Sequence, residues 1–151
     1  MSKETRDFVT IRLAGQFLGI PVLAVHDVLN AQSITRIPLA PPWVSGVLNL
    51  RGRIVTAINL RERLGLPPIG EDNKATAMSV VVEHKGEPYS LLIDSVGEVL
   101  SLDMAEFERN PVTLDQRWRE VSQGIFRLEG ELLVVLDVDR LLQFETQALA
   151  A

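Results

Sequence analysis

This 151-residue sequence predicts an all-β protein: two small β-barrels packed as one domain, with short helices and a C-terminal helix. Three observations carry that expectation. The chain is written twice, each copy alternates apolar and polar residues around glycine turns, and each copy is too short to bury a sufficient core alone. Gly46–Leu66, "GVLNLRGRIVTAINLRERLGL", recurs 78 residues later as Gly124–Phe144, "GIFRLEGELLVVLDVDRLLQF". Gly46, Leu50, Gly52 and Leu64 recur as identities, and the apolar positions between them stay apolar. Upstream, Val9–Leu29 recurs 71 residues later as Val80–Leu100, with Gly15, Val25, Val28 and Leu29 repeated. The second copy therefore holds about seven extra residues between its paired blocks, within "LDMAEFERNPVTLDQRWREVSQ". A barrel removes exposed sheet edges, which makes it an economical form for such short strands.

Each element follows in order. Val9, Ile11 and Leu13 alternate with Thr10, Arg12 and Ala14, as a half-buried strand does. Ala14-Gly15-Gln16 reverses the chain, and Phe17–Val22 is the returning strand. Leu23–Leu29 reads as one turn or a bent strand. "SITRIPLAPPWV" holds a strand ended by prolines, which cannot donate to a ladder. At the hairpin that follows, a type II turn would give the positive φ to Gly52 and leave Arg51 an ordinary backbone. Asn59–Leu66 and Asp137–Phe144 read as short helices, and "GLPPIGEDNKAT" reads as the linker.

The totals exclude several classes. A net charge of -5 argues against a nucleic-acid surface, which needs a positive field. No apolar run is long enough to span a membrane, and "MSKETRDF" lacks an apolar signal segment, so the expectation is no export. With no cysteine there is neither a disulfide framework nor a thiolate metal site, which fits a reducing cytoplasm. His26 and His84 lie far apart, outside any His-Glu-x-x-His spacing, and read as surface or boundary histidines. Asp137 and Asp139 read as helix-start residues, the first as cap. Trp43 and Trp118 read as partly buried plugs beside loops. No nucleophile elbow and no glycine-rich phosphate loop is present. The expectation is a protein without catalytic residues, metal or cofactor. The rival class is a small acidic enzyme or a nucleic-acid-binding barrel.

Arg51 is the residue that invites a function. The frame around this turn is kept in both copies, yet the tip diverges to Glu129. Asp27 in "VHDVL" has the counterpart Glu98 in "VGEVL". The first copy thus offers an acid–base pair, Asp27 with Arg51, where the second offers Glu98 with Glu129, which cannot pair.

The run "ITRIPLAPPWVSGVLNLRGRIVTAINLRERLGL", preceded by "FLGIPVLAVHDVL" and followed by the tail "GIFRLEGELLVVLDVDRLL", resembles the CheW-like family of bacterial chemotaxis coupling proteins over about Asp7 to Leu142. The resemblance implies two SH3-like five-stranded β-barrels on a shared core. It implies a division of residues 7–145 into a first lobe of about 15–74 and a second of about 7–14 plus 75–145, with flexible ends at 1–6 and 146–151. It implies an adaptor in the cytoplasm, at receptor arrays under the inner membrane, joining chemoreceptor cytoplasmic tips to the regulatory domain of the histidine kinase CheA. The family's sensitive positions fall on Val25, Asp27, Gly46, Asn49, Leu50, Arg51 and Gly52. Val25, Val28, Val47 and Leu50, beside Val96 and Val99 of the second copy, are placed by the resemblance at a receptor-binding groove between the lobes.

Overall fold

The structure is a computed structural model that describes residues 4–30, 32–67 and 78–143. Its strands are β1 (Thr5–Leu13), β2 (Gln16–Pro21), β3 (Val25–Leu29), β4 (Val44–Leu50), β5 (Arg53–Asn59), β6 (Met78–His84), β7 (Glu87–Ile93), β8 (Ser95–Asp103), β9 (Phe107–Glu108), β10 (Ser122–Leu128) and β11 (Glu131–Leu136). The helices are α1 (Leu60–Leu64), α2 (Gln116–Arg119) and α3, residues 138–143.

The strands form two sheets, ordered β8-β1-β2-β11-β10-β9 and β3-β6-β7-β5-β4. The duplication is exact at the level of topology up to the short β9. Replacing β3, β6, β7, β5 and β4 by β8, β1, β2, β11 and β10 turns one order into the other. The parallel contact recurs too, as β5 with β7 and as β2 with β11.

Each sheet draws strands from both copies. The first strand does sit with the second copy, but β2 goes with it, and β6 and β7 cross in return to the sheet of β3, β4 and β5. The two copies have exchanged their leading hairpins. β1 also begins at Thr5, so two residues expected in a flexible end are paired, Thr5 with Asp103 and Arg6 with Leu102. The other expected end, 146–151, and linker residues 68–76 lie outside the described residues.

Three apolar clusters hold this arrangement. The largest is shared: Val9, Ile11, Leu18 and Ile20 meet Ile58, Val80, Val82 and Leu91, with Trp118, Leu141 and Leu142 from α2 and α3. Each sheet also has an inner cluster on its other face. Phe8, Phe126, Leu133 and Val135 form one, and Leu48, Val55 and Ala57 form the other. Both faces of each sheet are therefore apolar, which explains why core strands such as "SVVVEH" read as nearly continuous apolar runs.

Gly46 and Gly124 show what the repeated glycine is for. Each has positive φ, +146° and +156°, at a register shift in its hairpin. A Cβ on Gly46 would overlap the Thr35 carbonyl, and one on Gly124 would overlap the Glu108 carbonyl.

The expected strand in "SITRIPLAPPWV" is reduced to one bridge, Thr35 with Val47. Prolines at 38, 41 and 42 deny it a donor ladder. The helices start as expected, since Asn59 Oδ1 accepts from Glu62 N–H and Asp137 Oδ1 from Arg140 N–H, each at 3.2 Å. Trp43 is partly buried against the shared cluster, and Trp118 is buried in it. His84 is no boundary residue; it is buried, with Nδ1 3.0 Å from Asp139 Oδ1 at the start of α3.

The turn at Arg51 differs from the type II expectation. Arg51 and Gly52 both have positive φ, +53° and +87°, the signature of a type I′ turn. The same pattern occurs at Ala14-Gly15 and Lys85-Gly86. A type I′ turn matches the twist of the flanking strands, and Asn49 supports it by accepting the Gly52 N–H on Oδ1 at 2.9 Å. At Glu129-Gly130 only the glycine has positive φ, +84°, as a type II turn requires. There the counterpart of Asn49 is Arg127, which instead pairs with Glu108 at 2.9 Å.

Candidate partner-binding site

The hairpin β4–β5 and the strand β3 meet where the sequence places its acid–base pair. Arg51 Nη2 lies 3.1 Å from Asp27 Oδ2, with the arginine side chain 79% exposed and the aspartate 22%. The two oxygens of Asp27 differ. Oδ1 accepts the Val28 N–H at 2.9 Å. Oδ2 is shut off from solvent and has no aligned donor, so its contact with Arg51 is an ion pair without a directed hydrogen bond. The register shift between Val25 and Asp27 puts His26 in a bulge, and His26 Nε2 reaches Glu83 Oε2 at 3.5 Å.

These groups rim a pocket of about 190 Å³. Its polar lining is His26, Asp27, Arg51, Arg53 and Glu83, and its apolar lining is Leu50, Val55, Val81 and Pro88. Asp27, Leu50 and Arg51 were legible in the sequence as site candidates. Arg53, Glu83, Val81, Val55, Pro88 and His26 were missed. The signal for Arg53 was present, since its counterpart in the second copy is Glu131, a second reversed charge two residues beyond the first.

The other candidates divide between the two faces of the sheet. Cross-strand partners share a face. Asp27 opposes Val81, which opposes Ser90, which opposes Ala57, so Asp27 belongs to the inner face. Leu50 packs against that same inner cluster. Val25 opposes Val82 and Val28 opposes Val80, both of the shared cluster, so these two valines are on the opposite face. Val47 and Asn49 are on that face as well, because Val47 opposes Thr56 and Thr56 opposes Tyr89, which packs on the shared cluster. Gly46 and Gly52 act through the backbone, the first by its close approach and the second in the turn.

Val96 and Val99 lie on β8 at the corresponding edge of the other sheet, and oppose Ile11 and Val9 of the shared cluster. Val96 is partly buried against that cluster and Val99 is 57% exposed. The valines thus sit in equivalent places on the rims of the shared core, one pair from each sheet.

The equivalent place to the pocket in the six-stranded sheet is bridged by an ion pair. Arg12 donates to both carboxylate oxygens of Glu131, at 2.7 and 2.8 Å, and its guanidinium lies 4.4 Å from the centre of the Phe17 ring. The hydrogen bond from Arg12 holds the Glu131 carboxyl below its ordinary range, and Glu131 in turn raises Arg12. Behind the pair, Thr10 Oγ1 donates to the Glu98 carbonyl at 2.6 Å. Among the described residues, no group of three or more His, Asp or Glu side chains is placed to hold a metal ion, and no helix is long and apolar enough to cross a membrane.

Two sheets of shared topology, one with an open charged mouth and one with it bridged, define a two-lobed domain of the CheW kind. The CheW-like domain profile matches residues 7–146, and the chain belongs to that family. The chemotaxis protein CheW of Treponema pallidum is 26% identical over 93% of this chain and 84% of its own length. The CheW of Klebsiella aerogenes is 28% identical over 95% of this chain and 86% of its own. The crystal structure of the scaffolding protein TtCheW from Thermoanaerobacter tengcongensis superposes with a TM-score of 0.81 at 28% identity, covering 93% of this chain and 94% of that one.

Proposed function

We propose that this protein is a non-catalytic adaptor of chemotaxis signalling, coupling the cytoplasmic tips of chemoreceptors to the regulatory domain of the histidine kinase CheA at receptor arrays in the cytoplasm. Membership of the CheW-like family supports the scaffolding role, as does likeness to a chain described as a scaffolding protein. One observation carries the assignment of a particular surface. The Asp27–Arg51 pair exists in one lobe alone, on a frame that both lobes share. A charge difference maintained on duplicated scaffolds distinguishes one surface from its twin. A receptor tip is a helical hairpin, and a helix docks by laying an apolar stripe along an apolar wall with polar groups at its rim. Val25, Val28 and Val47 supply apolar surface on the face toward the shared core, and Arg51, in the turn between β4 and β5, holds Asp27 of the opposite face. Capture of purified receptor tips and of CheA by the immobilised chain tests this reading. Binding of neither, together with salt-sensitive DNA or RNA binding or with turnover of a substrate, would replace it by the rival class.

A further inference from the structure

Corresponding places in the two sheets hold the same two charges in opposite order. In the six-stranded sheet Arg12 of β1 passes over Phe17 of β2 and donates to both carboxylate oxygens of Glu131 on β11. The repeat carries these three positions to Glu83 on β6, Pro88 on β7 and Arg53 on β5. An arginine and a glutamate have the same combined reach in either order, and Pro88 is smaller than Phe17. A Glu83–Arg53 bridge is therefore available to the five-stranded sheet. It is not made. Arg53 has no ion pair among the described residues, and Glu83 Oε2 lies 3.5 Å from His26 Nε2.

His26 is what differs between the lobes. Its counterpart is Gly97, where Thr10 Oγ1 stands 2.6 Å from the place of a Cβ and is fixed there by donating to the Glu98 carbonyl. A side chain is crowded out. In the five-stranded sheet Val81 replaces Thr10, and His26 lines the pocket from the bulge between Val25 and Asp27.

The charged groups around His26 and Glu83 are few. Asp27, next to His26 on β3, holds Arg51 of the β4–β5 turn at 3.1 Å. Glu83 also borders a second pocket with Asp137 and Asp139, which pair with Arg140 at 3.6 Å and His84 at 3.0 Å. Two cations remain for Glu83: His26 on the adjacent strand and Arg53 two strands away. While His26 is charged, it is the nearer one. Once His26 is neutral, the guanidinium is the only charge left, and it can take both carboxylate oxygens as Arg12 does. Histidine is the side chain that changes charge between about pH 5 and 8, and the His26 ring is half-exposed, open to solvent protons.

We propose that His26 and Glu83 form a proton-governed latch beside the Asp27–Arg51 site. With His26 protonated, Glu83 is held aside and Arg53 is free to meet a carboxylate of the docking protein. With His26 neutral, Glu83 crosses Pro88 to Arg53, and the mouth is bridged as it is in the other lobe. This names a regulation of the coupling surface proposed above and rests on that reading for the partner.

The test follows the Arg53 Nε and Glu83 carboxyl signals of the isotope-labelled whole chain by carbon-detected NMR from pH 8 to pH 5.5. Both are expected to move together with the His26 ring, Arg53 leaving the range of the paired Arg12 as acid is added. His26→Gln is expected to hold Arg53 in the paired range throughout, and Glu83→Gln to hold it outside. Both substituted side chains are partly exposed, so the variants keep the dispersed spectrum. An Arg53 signal that ignores pH in the parent, or that moves alike in His26→Gln, would overturn the latch. Capture of receptor tips is scored separately. Parent capture is expected to rise about two- to fivefold from pH 8 to pH 5.5, the worth of one exposed ion pair, and His26→Gln to lose that rise. Capture without a pH dependence, or with one that His26→Gln shares, overturns the gating and leaves the coupling function standing. Moving signals with no capture at either pH keep the latch and remove the coupling function.

Discussion

Arg12 and Glu131 are joined by two hydrogen bonds at a place where the other half of the molecule holds Glu83 and Arg53, the same two charges with their strands interchanged. In the first place the acid and base hold one another. In the second, Glu83 turns to His26 and Arg53 stands apart. Duplication preserved the positions and reassigned the interactions.

The closed pair makes stability depend on pH in a definite direction. The Glu131 carboxyl is held below its value of 4.5 by the hydrogen bond from Arg12. Its contribution is complete above that value, and is lost as pH falls through the lower folded value, because the unfolded chain takes the proton first. Glu131→Gln is therefore expected to melt below the parent protein at pH 7, with the difference shrinking as pH falls below about 4.5. Thermal melts of the two proteins from pH 7 to pH 3 check this, and a gap that widened in acid would contradict it.

Arg51→Ala separates orientation from stability. The side chain is 79% exposed, so the ion pair contributes only about 0–1 kcal/mol. The variant is expected to keep its melting temperature within a few degrees while losing capture of receptor tips. Equal losses in both measurements would show that the pair is structural.

Gly46→Ala and Gly124→Ala are expected to be costly for the same reason in both lobes. Each added methyl meets a backbone carbonyl, of Thr35 or of Glu108, and each position also has positive φ. Strained backbone and steric overlap together place the loss at roughly 2–4 kcal/mol for each variant. Gly52→Ala has nothing within 4 Å of its new methyl and bears only the cost of positive φ, so it is expected to lose about 1 kcal/mol. Urea denaturation of the three variants measures the order.

Single-cysteine cross-linking tests the proposed receptor contact, because the chain has no cysteine of its own. Val28→Cys and Asn49→Cys share one face of the five-stranded sheet and are expected to cross-link to a receptor tip. Glu129→Cys, at the matching turn of the other lobe, is expected to give no product. Products concentrated at Glu129 would move the receptor to the bridged lobe.

Much of this architecture was legible because it is local. Alternation at Val9, Ile11 and Leu13, the glycine turns, the short helix after Asn59, the cap Asp137 and the Asp27–Arg51 pair all follow from residues near in sequence or matched by the repeat. What escaped depends on strand partnership. A strand with two apolar faces announces burial, but not which sheet buries it, so the exchange of β1–β2 for β6–β7 was hidden. The turn at Arg51 was read as type II because a glycine at its second position suits that type, while the deciding hydrogen bond runs from Gly52 N–H to Asn49 Oδ1, outside the turn. His84 read as a surface or boundary residue because its cover, α3, comes from the far end of the chain.

The exchanged hairpins also set the order of events at synthesis. Leu18 aligns with Val134 across the parallel contact of β2 with β11, so the second strand must wait for the last of the described strands. The six-stranded sheet cannot be completed while β11 is still inside the ribosome, and β1–β2 emerges as an apolar hairpin with neither face covered. Pairings this distant along the chain put refolding in the millisecond-to-second range, roughly, and leave sticky surface exposed meanwhile.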